Sequence, residues 1–165
     1  MICANNKALS IFSLVLLAAT IASTHAAEHG VRMNAAKATF EPAYLKIQPG
    51  DTVKFIPIGK SKTVTATSTL VPDGAYHWQG IPGKSLSAKL SREGIYLYQS
   101  NKHVAKGMVG VIQVGSAVNL DQAKTRAQQI ARQAGGGARF LPLLSSVERS
   151  TASTSRTTED IKPTP

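Results

Sequence analysis

From Val31 to Gly115, apolar and polar positions change in short runs. "VRMNA" and "ATF" are short strand candidates, and "YLKIQPGDTVKFIPI" holds two more. In the first of these, Tyr44, Leu45 and Ile47 lead into Pro49-Gly50-Asp51, which has turn chemistry. In the second, Val53 and Phe55 share a face with Pro57, opposite Thr52, Lys54 and Ile56. "KTVTATS" is rich in β-branched residues, which suit a pleated surface. "VPDGAYHWQGIPG" carries Pro and Gly throughout and reads as a long loop. "KSLSAKLS" alternates with Leu86, Ala88 and Leu90 inward, and "GIYLYQS" and "GMVGVIQVG" complete the set. Short strands at regular spacing, separated by turn signals, predict an all-β sandwich or barrel.

The period changes at Asn119. Leu120, Ala123, Ala127, Ile130, Ala131 and Ala134 fall at helical spacing, so a helix is expected over 119–134. Asn119 is its N-cap candidate, and Gly135 to Gly137 stop it. The stripe is mostly alanine, which suggests a helix lying on the sandwich rather than building a core. "ARFLPLLSSV" is a short apolar patch. From Glu148 onward large apolar residues almost disappear, so 135–165 reads as a Gly-rich linker and a disordered tail.

Residues 1–26 have the layout of a secretory signal peptide: Lys7, an apolar run, then a small-residue site ending at Ala26. The run is too short for a good membrane span. Residues 27–118 then form the sandwich. Cys3, the single cysteine, would leave with the leader, so the mature chain has neither thiol nor disulfide. Lys and Arg number 19 against 9 Asp and Glu, a net charge of +10. Such an excess favours an acidic partner, and export makes nucleic acid the least suitable one.

The chemistry concentrates between Tyr96 and Gly115, where Ser100, His103 and Met108 are spaced S-x-x-H-x-x-x-x-M. With "FEPAYLKIQPGDTVKFIP", "PDGA" and "GMVGVIQVG" in this order, the chain resembles pseudoazurin, a small periplasmic cupredoxin, from about residue 28 to about residue 130. The resemblance implies a Greek-key β-sandwich followed by C-terminal helices, with the Gly-rich stretch and tail replacing the second helix. It also implies a copper site built from two histidines, a cysteine and a weak axial methionine. His103 and Met108 occupy two ligand positions. Lys62 stands at the other histidine position and Ser100 at the cysteine position. Thr63 replaces a usual Asn, and Lys106 a frequent Met.

A serine hydroxyl stays protonated near neutral pH, and an ammonium at Lys62 repels a cation. The expectation is therefore a cupredoxin that binds no cofactor, acts as an interaction module and is not an enzyme. A divergent copper-binding electron-transfer protein is the alternative. In the family geometry Lys60, Lys62, Lys102 and Lys106 ring the old pocket, where pseudoazurins meet acidic redox partners. The plainer reading is solvated lysines. Two further possibilities follow from residue types. Ser100 with Lys62 or His103 as base is a minimal hydrolase arrangement. Cleavage after Ala26 would place His29 third in the chain, where amine, amides and imidazole can hold Cu(II) or Ni(II). Tyr76, His77 and Trp78 form a contact patch or cap the sandwich.

Overall fold

A computed structural model describes residues 26–59 and 62–159. The leader with Lys7 and Cys3, Lys60, and the last six residues of the tail lie outside the described residues. Eight strands form two four-stranded sheets. They are β1 (Glu28–Asn34), β2 (Thr39–Glu41), β3 (Tyr44–Ile47), β4 (Thr52–Ile58), β5 (Thr67–Leu70), β6 (Leu86–Lys89), β7 (Gly94–Gln99) and β8 (Val109–Val114). The first sheet runs β2-β1-β4-β6 and the second β3-β8-β7-β5. The β1–β4 and β3–β8 pairs are parallel, and the others antiparallel.

Between the sheets lies an aromatic core. Val31, Met33, Val53 and Phe55 point inward from the first sheet, and Tyr96, Tyr98, Ile112 and Val114 from the second. Phe40 and Phe55 meet the Tyr98 ring edge-on, at centroid distances of 4.7 and 5.1 Å, and Trp78 stacks on Phe55 at 6.0 Å. Such pairs add about 0.5–1.5 kcal/mol each beyond the area they bury. Burial holds the Tyr98 phenol far above its ordinary pKa. The strand expected at "KTVTATS" starts later, at Thr67. Val64, Thr65 and Ala66 are buried loop instead, with the Ala66 carbonyl accepting from Gly80. Thr65 and Ala66 are thus spent on the site loop rather than on a ladder.

The other face of the second sheet is also covered. Helix α1 (Leu120–Gln133) and helix α2 (Phe140–Glu159) lie over it, joined by a 3-10 turn at Gly135–Arg139. Ile95, Leu97, Val109 and Val111 meet Ala123, Ala127, Ile130, Phe140, Leu144 and Val147 in a second apolar core. Three sequence expectations are corrected here. The helix at 119–134 does build a core, because its alanines allow close approach. The linker and disordered tail give way to α2 as far as Glu159. The patch "FLPLLSSV" has helical period, so Phe140, Leu144 and Val147 bury on one stripe. Asn119 stands at the start of α1 without capping it by its side chain. Its Oδ1 accepts from the Ile95 N–H at 2.6 Å and its Nδ2 donates to the Ile95 carbonyl at 3.0 Å, clipping α1 to β7.

Candidate metal centre

The centre is the hairpin loop between β7 and β8. Ser100 follows the last residue of β7, and its N–H donates to the Met108 carbonyl at 3.0 Å, which closes the loop. Inside it, the His103 N–H donates to the Ser100 carbonyl at 2.9 Å. The His103 carbonyl accepts from Lys106 at 3.0 Å and Met108 at 3.1 Å. Residues Val104–Lys106 make one 3-10 turn, and Gly107 leaves it with φ 85°, a left-handed conformation that glycine adopts without penalty. The spacing S-x-x-H-x-x-x-x-M is therefore one tight loop with all three side chains on a common frame.

Ser100 is fully buried. Its Oγ accepts from the Thr65 N–H at 3.2 Å and lies 3.0 Å from His103 Nδ1. The Asn101 N–H donates to Thr65 Oγ1 at 3.3 Å. Two loops distant in sequence are thus stitched together through Thr65. Met108 is fully buried in the sandwich core, and His103 is half-buried at the surface. Lys62, Lys102 and Lys106 are exposed on the two stitched loops.

The sequence profile of the copper-binding plastocyanin/azurin family matches residues 27–115. The chain belongs to that family. Within it, a protein of Rhizobium leguminosarum bv. viciae named as a pseudoazurin is 40% identical over 119 residues, covering 69% of this chain and 78% of its own length. The pseudoazurin of Paracoccus pantotrophus is 34% identical over 113 residues, covering 68% of this chain and 78% of its own. The solved native pseudoazurin of Hyphomicrobium denitrificans superposes with a TM-score of 0.54 at 34% identity, over 64% of this chain and 97% of that one. The pseudoazurin-like β-sandwich expected from the sequence is therefore this chain's fold.

The family's metal sets a test for the four positions. His103 and Met108 supply an imidazole and a thioether, which fit. Ser100 and Lys62 do not: one is a neutral hydroxyl already hydrogen-bonded, the other an exposed cationic amine. His103 Nδ1 also lies within hydrogen-bond distance of Ser100 Oγ, at 3.0 Å. Among the described residues, no group of three or more His, Cys, Asp or Glu side chains gathers as a metal site.

The remaining candidates separate. His29 lies on β1, which pairs along β4 through residues 28–34. Its Nε2 lies 2.8 Å from Asp51 Oδ2. Asp51 accepts from the Ala27 N–H at 2.8 Å and the Gln48 N–H at 3.1 Å. The Ala27 N–H, then His29, then the Gln48 N–H hold its carboxyl below the usual carboxylate range. Of the aromatic loop, Trp78 is core, whereas Tyr76 is 81% exposed and His77 pairs with Ser68 Oγ at 3.2 Å. Sequence reasoning missed Thr65, Asn101 and Arg139. The last packs over Gly107 of this loop, a contact between distant segments that leaves no local signal in the sequence.

Proposed function

We propose that this member of the family is a periplasmic cupredoxin that has given up its type-1 copper and acts as a protein-interaction module toward an acidic partner. The observation that supports the reading most is Ser100: at the thiolate position stands a buried hydroxyl whose hydrogen bonds are already made within the protein. The lysines at 60, 62, 102 and 106 are the partner-binding residues in this reading, with no cofactor and no enzymatic step. Lys62, Lys102 and Lys106 are exposed on loops joined by hydrogen bonds, which keeps positive charge on one pair of connected loops. Among the described residues, no helix is long and apolar enough to cross a membrane.

The test has two arms. Mature protein purified from periplasm is analysed for copper, with an optical spectrum, and no intense orange-red absorption is expected. All four lysines are then changed to Gln, and partners are recovered from periplasmic extract at low and high salt. Recovery at low salt should drop, because surface charges steer association over a Debye length of about 10 Å. Stoichiometric copper with an intense blue colour, or equal recovery by both forms, would reject the reading.

One geometric fact favours a second reading. Ser100 Oγ and His103 Nδ1, 3.0 Å apart, have the separation of a nucleophile and its base. Full burial of Ser100 opposes it, since no substrate carbonyl reaches a covered hydroxyl. Ester turnover abolished by Ser100→Ala would favour it.

A further inference from the structure

Behind the site loop lies a cavity of about 340 Å³ that the lysine reading does not use. Phe40, Ala43, Val109 and Leu143 form its walls, so it sits where β2, the residue before β3 and β8 meet α2. Its surface is mostly apolar, and none of its lining side chains is acidic. Arg139 stands at its edge. The side chain is exposed, and among the described residues no hydrogen bond or ion pair engages its guanidinium. It packs against Gly107, where a Cβ would sit 2.6 Å from Arg139 Nε. The glycine therefore makes room for the guanidinium at this wall. Glu41, nearby on β2, accepts the Thr39 hydroxyl at 3.2 Å.

An apolar hollow of ligand size with one unpaired guanidinium at its edge has the chemistry of a site for an amphipathic anion. We propose that this cavity binds a small aliphatic monocarboxylate, with its chain against Phe40, Val109 and Leu143 and its carboxylate on Arg139. Both terms are needed. The apolar chain leaves water, at about 0.8 kcal/mol per buried methylene. The carboxylate gains a charge-assisted, two-point contact that a lysine could not match. Gly107 adjoins Met108, so occupancy of the cavity adjoins the site loop. The inference rests on the cavity and Arg139 alone, and stands or falls apart from the lysine reading.

The experiment titrates the protein with decanoate, decanol and acetate by calorimetry, with each amphiphile below its micelle concentration. Decanoate should bind most tightly and acetate hardly at all. Arg139→Gln should weaken decanoate about tenfold, the worth of one charge-assisted hydrogen bond, and leave decanol unchanged. Ala43→Phe should fill the cavity and remove both amphiphiles, with circular dichroism to confirm the fold. Arg139 is exposed, so its variant folds whatever the fate of the Ala43 variant. Absence of decanoate binding, or equal decanoate affinity in wild type and Arg139→Gln, would overturn the proposal.

Discussion

Replacing Gly136 by Ala should damage the protein far more than replacing its neighbour Gly135. The turn at Gly135–Arg139 rests backbone-to-backbone on the site loop. A methyl on Gly136 would collide with the Val104 carbonyl and the Gly107 N–H and sit 2.6 Å from the Ala105 carbonyl. All three are main-chain atoms of a closed hydrogen-bonded loop, so none can rotate away. Two responses remain. The loop and turn shift apart, at an overpacking cost of about 1–3 kcal/mol. Alternatively the turn and α2 lift off, exposing Phe140, Leu144 and Val147, each worth about 1.5–3 kcal/mol when buried. The first response is cheaper and the second caps the damage, so a loss of about 3 kcal/mol is expected, or roughly 10 °C in Tm for a domain of this size. At Gly135 nothing lies within 4 Å of the same methyl. There Ala should leave stability unchanged or raise it by up to about 1 kcal/mol through the unfolded chain. Urea unfolding followed by the single tryptophan, buried Trp78, reads both variants, and limited proteolysis between Ala134 and Phe140 reports lifting. Equal stability of the two variants would refute the close approach.

Two further outcomes are expected. The pair Lys62→His with Ser100→Cys restores the family's four donors beside His103 and Met108, so added copper should give an intense blue protein. A folded, colourless variant would show that exposed Lys62 does not converge with the loop. Asp51 has a native pKa below its unfolded value, so its contribution is present above the ordinary carboxylate range and is lost as pH falls through the lowered value. Asp51→Asn should lower stability at neutral pH and flatten the acid limb of a stability–pH curve, and parallel limbs for both proteins would contradict the sign.

Much of this was legible in the sequence because alternation exposes a face. Val53 and Phe55 pointed inward as their spacing demanded, and the S-x-x-H-x-x-x-x-M run resolved into the expected loop. The second core was harder to see. "GIYLYQ" and "VGVIQV" do not alternate, and an unbroken apolar run is what a strand covered on both faces looks like. Read so, they call for a cover, and "FLPLLSSV" is the segment that supplies it. Side-chain roles that depend on a distant partner left no local trace. Asn119 has the composition of a cap, yet Ile95, far back in the chain, claims its amide. Thr65 looked like a strand residue because nothing near it announces Ser100.

The parallel pairing of β3 with β8 bears on how fast the chain can acquire its shape. Tyr44 on β3 donates its hydroxyl to Gln113 on β8 at 2.7 Å, and the two stand 69 positions apart. Until β8 exists, β3 has no neighbour, and the helices have no complete sheet to cover. The nucleus must close a long loop before that closure is rewarded. Chains dominated by such distant pairings collapse to their native form in milliseconds to seconds rather than microseconds. A chain emerging from the ribosome therefore cannot complete its second sheet until its last strand has been made.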